Sequence, residues 1–219
     1  MISQLDPALK VAEFLLQIKA VELSPQKPFT WASGWRSPIY CDNRKTLSHP
    51  TVRTFIRQQF VHVINESFGK PDMIAGVATG GIALGVLVAQ EMGLPFVYVR
   101  SDAKGHGKKN QVEGDLSTGR NAVVIEDLVS TGGSSLKAVQ ALREAGIEVK
   151  GMVSIFTYGF DEAAKAFAEA KVKLHALTNY NVLLDQALKS GHINEIERAS
   201  LAEWRQDPSI WMQEKASTT

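Results

Sequence analysis

A single cysteine, Cys41, leaves this chain no internal disulfide framework, so packing and hydrogen bonds must carry its fold. One thiol in 219 residues also suits a reducing compartment, and a cytoplasmic location is expected. Charge of one sign is equally scarce. Lys and Arg number 24 against 23 Asp and Glu, a formal net charge of +1. That balance removes any global electrostatic case for nucleic acid or an anionic membrane as a partner. No apolar run approaches the ~20 residues a bilayer span needs. The first residues, with Gln4 and Asp6 and no basic flank, do not read as a secretory leader. Several motifs are missing too: there is no G-x-G-x-x-G after a strand, no G-x-x-x-x-G-K-[ST], no H-E-x-x-H and no G-x-S-x-G. The histidines (His49, His62, His106, His175, His192) show no metal-ligand spacing.

What is present is enough apolar residue, 44% of the chain, to bury a full core. A single domain over 1–219 is expected: an N-terminal helix and hood (1–48), an α/β core (49–180) and C-terminal helices (181–219). The stretch that organises it is Val123 to Ser135. Val123-Val124-Ile125 has the pattern of a strand buried on both faces, with Glu126 and Asp127 where that strand surfaces. A loop of Ser, Thr and Gly follows, and then Leu136, Ala138, Val139, Ala141 and Leu142 fall at helical spacing. Free N–H groups at a helix start bind phosphate. The carboxylates can accept from sugar hydroxyls and lie near a metal that neutralises phosphates. A phosphorylated sugar suits every part of the unit.

Elsewhere the chain alternates. Asp6-Pro7 caps a helix ending near Ala20, and Ser48 caps another that Gly69 ends. Phe29 to Asp42 holds two β-type runs around Ser33-Gly34. Its aromatics fit a hairpin covering the core or a seat for a planar polar ligand, and composition alone favours the first. Met73–Val77 is a buried strand running through Ala78-Thr79-Gly80-Gly81 into a helix apolar nearly all round, a core or subunit-interface pattern. Pro95–Arg100 is the next strand. Ser101 to Asn110 has no apolar period and reads evenly as a lid or a solvated basic loop, with Val112 to Leu116 closing it as a ribbon. Val149–Phe156 is another strand, a helix starts at Asp161, and Val172–Leu177 is an edge strand. Two helices follow, Val182–Leu188 and Ile193–Trp204. Alternation of this kind predicts a parallel α/β sheet flanked by helices, with ligands beyond the carboxyl ends of its strands. The loops at Ala78–Gly81, Arg100–Asn110 and Glu126–Ser134 should therefore meet at one edge.

The stretch Val123 to Ser135 resembles the phosphoribosyl-pyrophosphate (PRPP) signature of the type I phosphoribosyltransferases. That resemblance implies the family's fold with a small N-terminal hood. It also implies that Glu126 and Asp127 hold the ribose hydroxyls, and that Leu128, Val129, Ser130, Thr131, Gly132, Gly133 and Ser134 form the PRPP loop around the 5-phosphate. Thr79 and Gly80 take the place of the pyrophosphate turn. Phe29-Thr30, Ser33-Gly34 and Ser37-Pro38-Ile39-Tyr40 with Asp42 are similar to the N-terminal signature of the orotate phosphoribosyltransferase family. Arg100, Lys104, Gly105, His106 and Gly107 look like that family's mobile loop, which implies catalytic and PRPP-binding roles for Arg100, Lys104 and His106. Orotate is then expected to meet Ser130, Tyr40 and Arg44.

Departures accompany the likeness. Ser101, Ala32 and Thr79 stand where many or some members carry lysine, and Thr157-Tyr158 where some carry a carboxylate-binding arginine. Lys108, Lys109 or Arg44 are the candidate replacements, with Arg44 the expected partner of the orotate carboxylate. The resemblance further implies Mg²⁺ held through PRPP and water near Glu126 and Asp127, with no direct metal ligand. It also implies a homodimer sharing loop 101–110 across its interface. Two rival readings are a phosphoribosyltransferase for another base and a non-enzymatic PRPP-sensing regulator. Residues 29–42 weigh against the first, Lys104 and His106 against the second.

Overall fold

In the computed structural model, residues 6–30, 36–101, 111–209 and 211 are described. Asp6 accepts from the Ala8 backbone N–H at 2.9 Å, so helix α1 (Pro7–Gln17) starts as its capping residues dictate. It stops short of Ala20 because Lys19 turns left-handed, with φ 54°. The hood follows as two antiparallel pairs. Strand β1 (Val21–Leu23) pairs with β4 (Ile39–Cys41), and β2 (Phe29–Thr30) with β3 (Arg36–Ser37), so the predicted hairpin is there. Its Ser33-Gly34 turn and Ala32 lie outside the described residues.

A 3₁₀ turn (Asn43–Ser48) leads to helix α2 (Pro50–Phe68). The expected Ser48 cap is corrected here. His49 is the N-cap, because Pro50, with its fixed φ and no N–H, occupies the first helical position; the His49 side chain makes no cap bond.

Then come β5 (Met73–Val77), α3 (Gly80–Met92), β6 (Phe96–Val99), β7 (Val112–Glu113), β8 (Asn121–Val129), α4 (Gly133–Glu144), β9 (Glu148–Thr157), α5 (Asp161–Glu169), β10 (Leu174–Asn179), α6 (Tyr180–Lys189) and α7 (Glu195–Gln206). The main sheet has strand order β10-β9-β8-β5-β6-β7. All its pairs are parallel except β6–β7, where Val99 faces Val112 and the ribbon closes the base of segment 102–110.

Side chains alternate across the sheet. Ile74, Val123 and Ile125 point into one apolar cluster with α1, α2, α3, α6 and α7. Met73, Ala75, Ala122 and Val124 point into a second, under α4 and α5. Burial on both faces explains the near-continuous apolar runs of β5 and β8.

This order fixes where a ligand can sit. From β5 the chain crosses through α3 to β6 on one side; from β8 it crosses through α4 to β9 on the other. Right-handed crossovers in opposite directions put α3 and α4 on opposite faces. A crevice opens between β5 and β8 at their carboxyl ends, the switch point where such sheets bind ligands. No helix among the described residues is long and apolar enough to cross a membrane.

Candidate functional site

Strand β8 is longer than expected. It was predicted to surface at Glu126, but it stays paired with β9 through Glu126↔Ser154, Leu128↔Phe156 and Val129↔Thr157. The reason is a long neighbour. β5 stops pairing at Ile125 while β9 runs on to Thr157, so the acidic pair has a strand on one side and the crevice on the other. Ser130 to Gly132 make the turn, with Gly132 left-handed at φ 87°, and Gly133 and Ser134 open helix α4. That helix start has no side-chain cap, so its first N–H groups are open to a ligand.

Two glycines bring the opposite wall close. A Cβ on Gly80 would stand 2.2 Å from the Asp127 carboxyl carbon, and one on Gly81 would stand 2.3 Å from the Ile125 carbonyl oxygen. Only bare glycines let the Thr79-Gly80-Gly81 turn and the start of α3 lie against β8. The Ala78–Thr79 peptide in this turn is cis, and the Ala78 N–H donates to the Val99 carbonyl at 2.8 Å. Arg100 leaves β6 with its backbone N–H on Gln111 O (2.9 Å) and its guanidinium 3.3 Å from the Glu113 carboxylate.

The three predicted loops do converge. A cavity of about 280 Å³ is walled by Ala78, Arg100, Ser101, Gly133, Ser134 and Lys137. Lys104, His106, Lys108 and Lys109 lie outside the described residues. Tyr40 and Arg44 do not line that cavity. Tyr40 is exposed, with its ring 5.7 Å from that of Phe29. Arg44 is largely exposed and holds Asp42 at 2.7 Å, yet its charge is felt at both Asp127 and Tyr40.

The acidic pair is unequal. Glu126 is only 5% exposed, and its oxygens accept from the Asp127 N–H and the Ser135 hydroxyl, both at 3.0 Å. Burial, and then the neighbouring Asp127, push its pKa from 4.5 up to about 9. Asp127 is half-buried and is raised in the same direction, chiefly by burial. Its main-chain carbonyl accepts from the Asn43 amide at 2.7 Å. Asn43 is fully buried and so ties the hood to the acidic strand.

A pH dependence follows. Between about 4.5 and about 9 the folded protein keeps a proton on Glu126 that the unfolded chain has released. Stability of the ligand-free protein should therefore fall as pH rises through that window. Glu126→Gln should flatten the slope of urea midpoint against pH; an unchanged slope would refute the buried-proton account.

Residues missed from sequence are Asn43, Ser135 and Lys137. Asn43 and its acceptor are 84 positions apart, a pairing that no local pattern reveals. Ser135 was read only as loop. Lys137 carries no local signal that sets it apart from other helix lysines.

Residues 49–179 match the phosphoribosyl transferase domain family. The chain is 60% identical over 200 residues to the orotate phosphoribosyltransferase of Phocaeicola vulgatus, covering 91% of this chain and 94% of that one. Against the orotate phosphoribosyltransferase of Listeria innocua, identity is 54% over 202 residues, covering 92% and 97%. The crystal structure of orotate phosphoribosyltransferase from Aeropyrum pernix superposes with a TM-score of 0.73 at 29% identity, over 84% of this chain and 99% of that one.

Proposed function

This chain belongs to the orotate phosphoribosyltransferase family, and on that premise we propose that it transfers the 5-phosphoribosyl group of PRPP to orotate in pyrimidine biosynthesis. The products are orotidine 5-phosphate and pyrophosphate. The observation that carries the reading is the meeting of Gly80 and Asp127 at the sheet's switch point, beside an uncapped helix start.

The chemistry asks for stabilisation of charge more than for a strong base. Ribosyl C1 passes through an oxocarbenium-like state as the pyrophosphate leaves. Asp127 accepts from ribose hydroxyls, and Glu126, bound to Asp127 N–H and Ser135, fixes the strand end that presents it. Main-chain N–H groups from Ser130 to Ser134 take the 5-phosphate. Arg100, Lys104 and His106 supply positive charge to the departing pyrophosphate, and the Thr79-Gly80 turn adds main-chain support. His106 can hold or release a proton near neutral pH. Tyr40, Ser130 and Arg44 seat orotate.

Phosphoribosyltransferases generally use Mg²⁺ with PRPP. Among the described residues no cluster of three or more His, Cys, Asp or Glu could hold a metal ion. The half-buried Asp127 carboxylate would accept from the water shell of an ion carried in by the substrate's own oxygens. When bound, Mg²⁺ neutralises charge on the pyrophosphate. A homodimer sharing segment 101–110 is part of the proposal; the half-exposed Val86 on the apolar helix α3 is compatible with a covered face.

Incubating the protein with PRPP, Mg²⁺ and a panel of orotate, uracil, hypoxanthine and adenine tests this. Consumption of orotate alone is expected, whereas preference for another base, or PRPP bound with no turnover of any base, would overturn the reading. Arg44→Ala should raise the KM for orotate about tenfold, the worth of one charge-assisted contact, with the KM for PRPP little changed. An unchanged orotate KM would remove Arg44 from the base site.

A further inference from the structure

Lys137 stands early in helix α4, and at helical spacing it shares a face with Ser134. That face forms one wall of the cavity whose opposite wall is Ala78 and Arg100. Among the described residues the cavity lining carries two cations and no carboxylate. Arg100 already shares its charge with Glu113. Lys137 is exposed and makes no ion pair or hydrogen bond among the described residues. Its helical neighbours Gly133, Ser134, Gln140 and Ala141 offer no carboxylate at any i±3 or i±4 position.

A surface lysine on a helix ordinarily gains from such a partner or from the negative C-terminal end of the dipole. Lys137 has neither. It adds its charge to a helix start that is already positive and has no side-chain cap. The fold draws nothing from that arrangement, but an anion in the cavity would. At about 280 Å³ the cavity has room for a small polyanion. Thr79 and Ser101, on the two loops that border it, are neutral, so among the described residues the cations lining it are Arg100 and Lys137.

We propose that Lys137 is a substrate-binding residue, gripping the diphosphate end of PRPP from helix α4, opposite Arg100. This rests on the transfer reading above and adds a residue to it.

Steady-state kinetics of Lys137→Gln and Lys137→Arg test the assignment, with inorganic pyrophosphate and ribose 5-phosphate as inhibitors. For Lys137→Gln the KM for PRPP and the inhibition constant for pyrophosphate should each rise about tenfold, with the orotate KM within about twofold of wild type. Lys137→Arg should keep most of the wild-type affinity, because it keeps the charge. Several results would overturn the proposal: unchanged PRPP and pyrophosphate constants in Lys137→Gln, equal rises for both substrates, equal damage from Arg and Gln, or weakening confined to ribose 5-phosphate. If the wild-type protein consumes no orotate, the transfer reading fails by itself. Calorimetric binding of inorganic pyrophosphate to wild type and Lys137→Gln then still decides the role of Lys137.

Discussion

Asp127→Asn should lower kcat/KM for PRPP about a hundredfold, the scale expected when a charge-assisted pair of contacts to substrate hydroxyls is lost. Asn has nearly the shape of Asp, so the tight contact with Gly80 and the Asn43 bond to the main-chain carbonyl should survive. What changes is the chemistry. An acceptor-only carboxylate becomes an amide with a donor group on one side. Burial already raises the pKa of Asp127, so the free protein gains nothing from that charge. The variant should therefore fold with at least wild-type stability while failing to use PRPP. Wild-type kinetics in Asp127→Asn would remove the ribose assignment. A loss of stability parallel to the loss of activity would make Asp127 a structural residue instead.

The second large effect concerns the end of the chain. Trp204 is fully buried in α7, packed edge-on against Tyr158 and Phe160 at ring separations of 5.8 Å and tilted on Tyr180 at 5.7 Å. Its neighbour Arg205 donates to the Tyr158 carbonyl at 3.0 Å and also to the Gly159 carbonyl. Thr157, next in line, donates to the Val129 carbonyl at 3.1 Å. The C-terminal helix thus braces the turn after β9, which in turn holds the last residue of β8 before the phosphate loop. Trp204→Ala should cost ~3–5 kcal/mol of stability, as expected for emptying a large aromatic site. Urea unfolding measures it, and a loss below ~1 kcal/mol would mean that α7 is not part of the folded core.

These two residues differ in how far the sequence exposes them. Asp127 was legible because its signals are local: an apolar run, two carboxylates and a small-residue loop lie within one strand–turn–helix unit. Its exact setting was not. Whether β8 ends at Ile125 or continues to Val129 depends on the length of β9, which pairs with it from some 28 residues further along. The inequality of Glu126 and Asp127 arises in the same way, since burial under Ser135 and the bare approach of Gly80 come from α4 and α3. Trp204 could be read as packing somewhere, but not as bracing Tyr158 and Phe160. Asn43 left no trace in pattern or period, for its partner is a carbonyl fixed by tertiary structure alone. Helix starts show the limit at short range. Asp6 capped α1 as read, whereas at α2 the proline at the first helical position moved the start past Ser48.

The transfer itself is the central claim, and product analysis tests it most directly. Purified protein given orotate, PRPP and Mg²⁺ should release orotidine 5-phosphate and pyrophosphate in equal amounts, matching the orotate consumed. Release of pyrophosphate without orotidine 5-phosphate, or PRPP bound but left intact with orotate present, would contradict it.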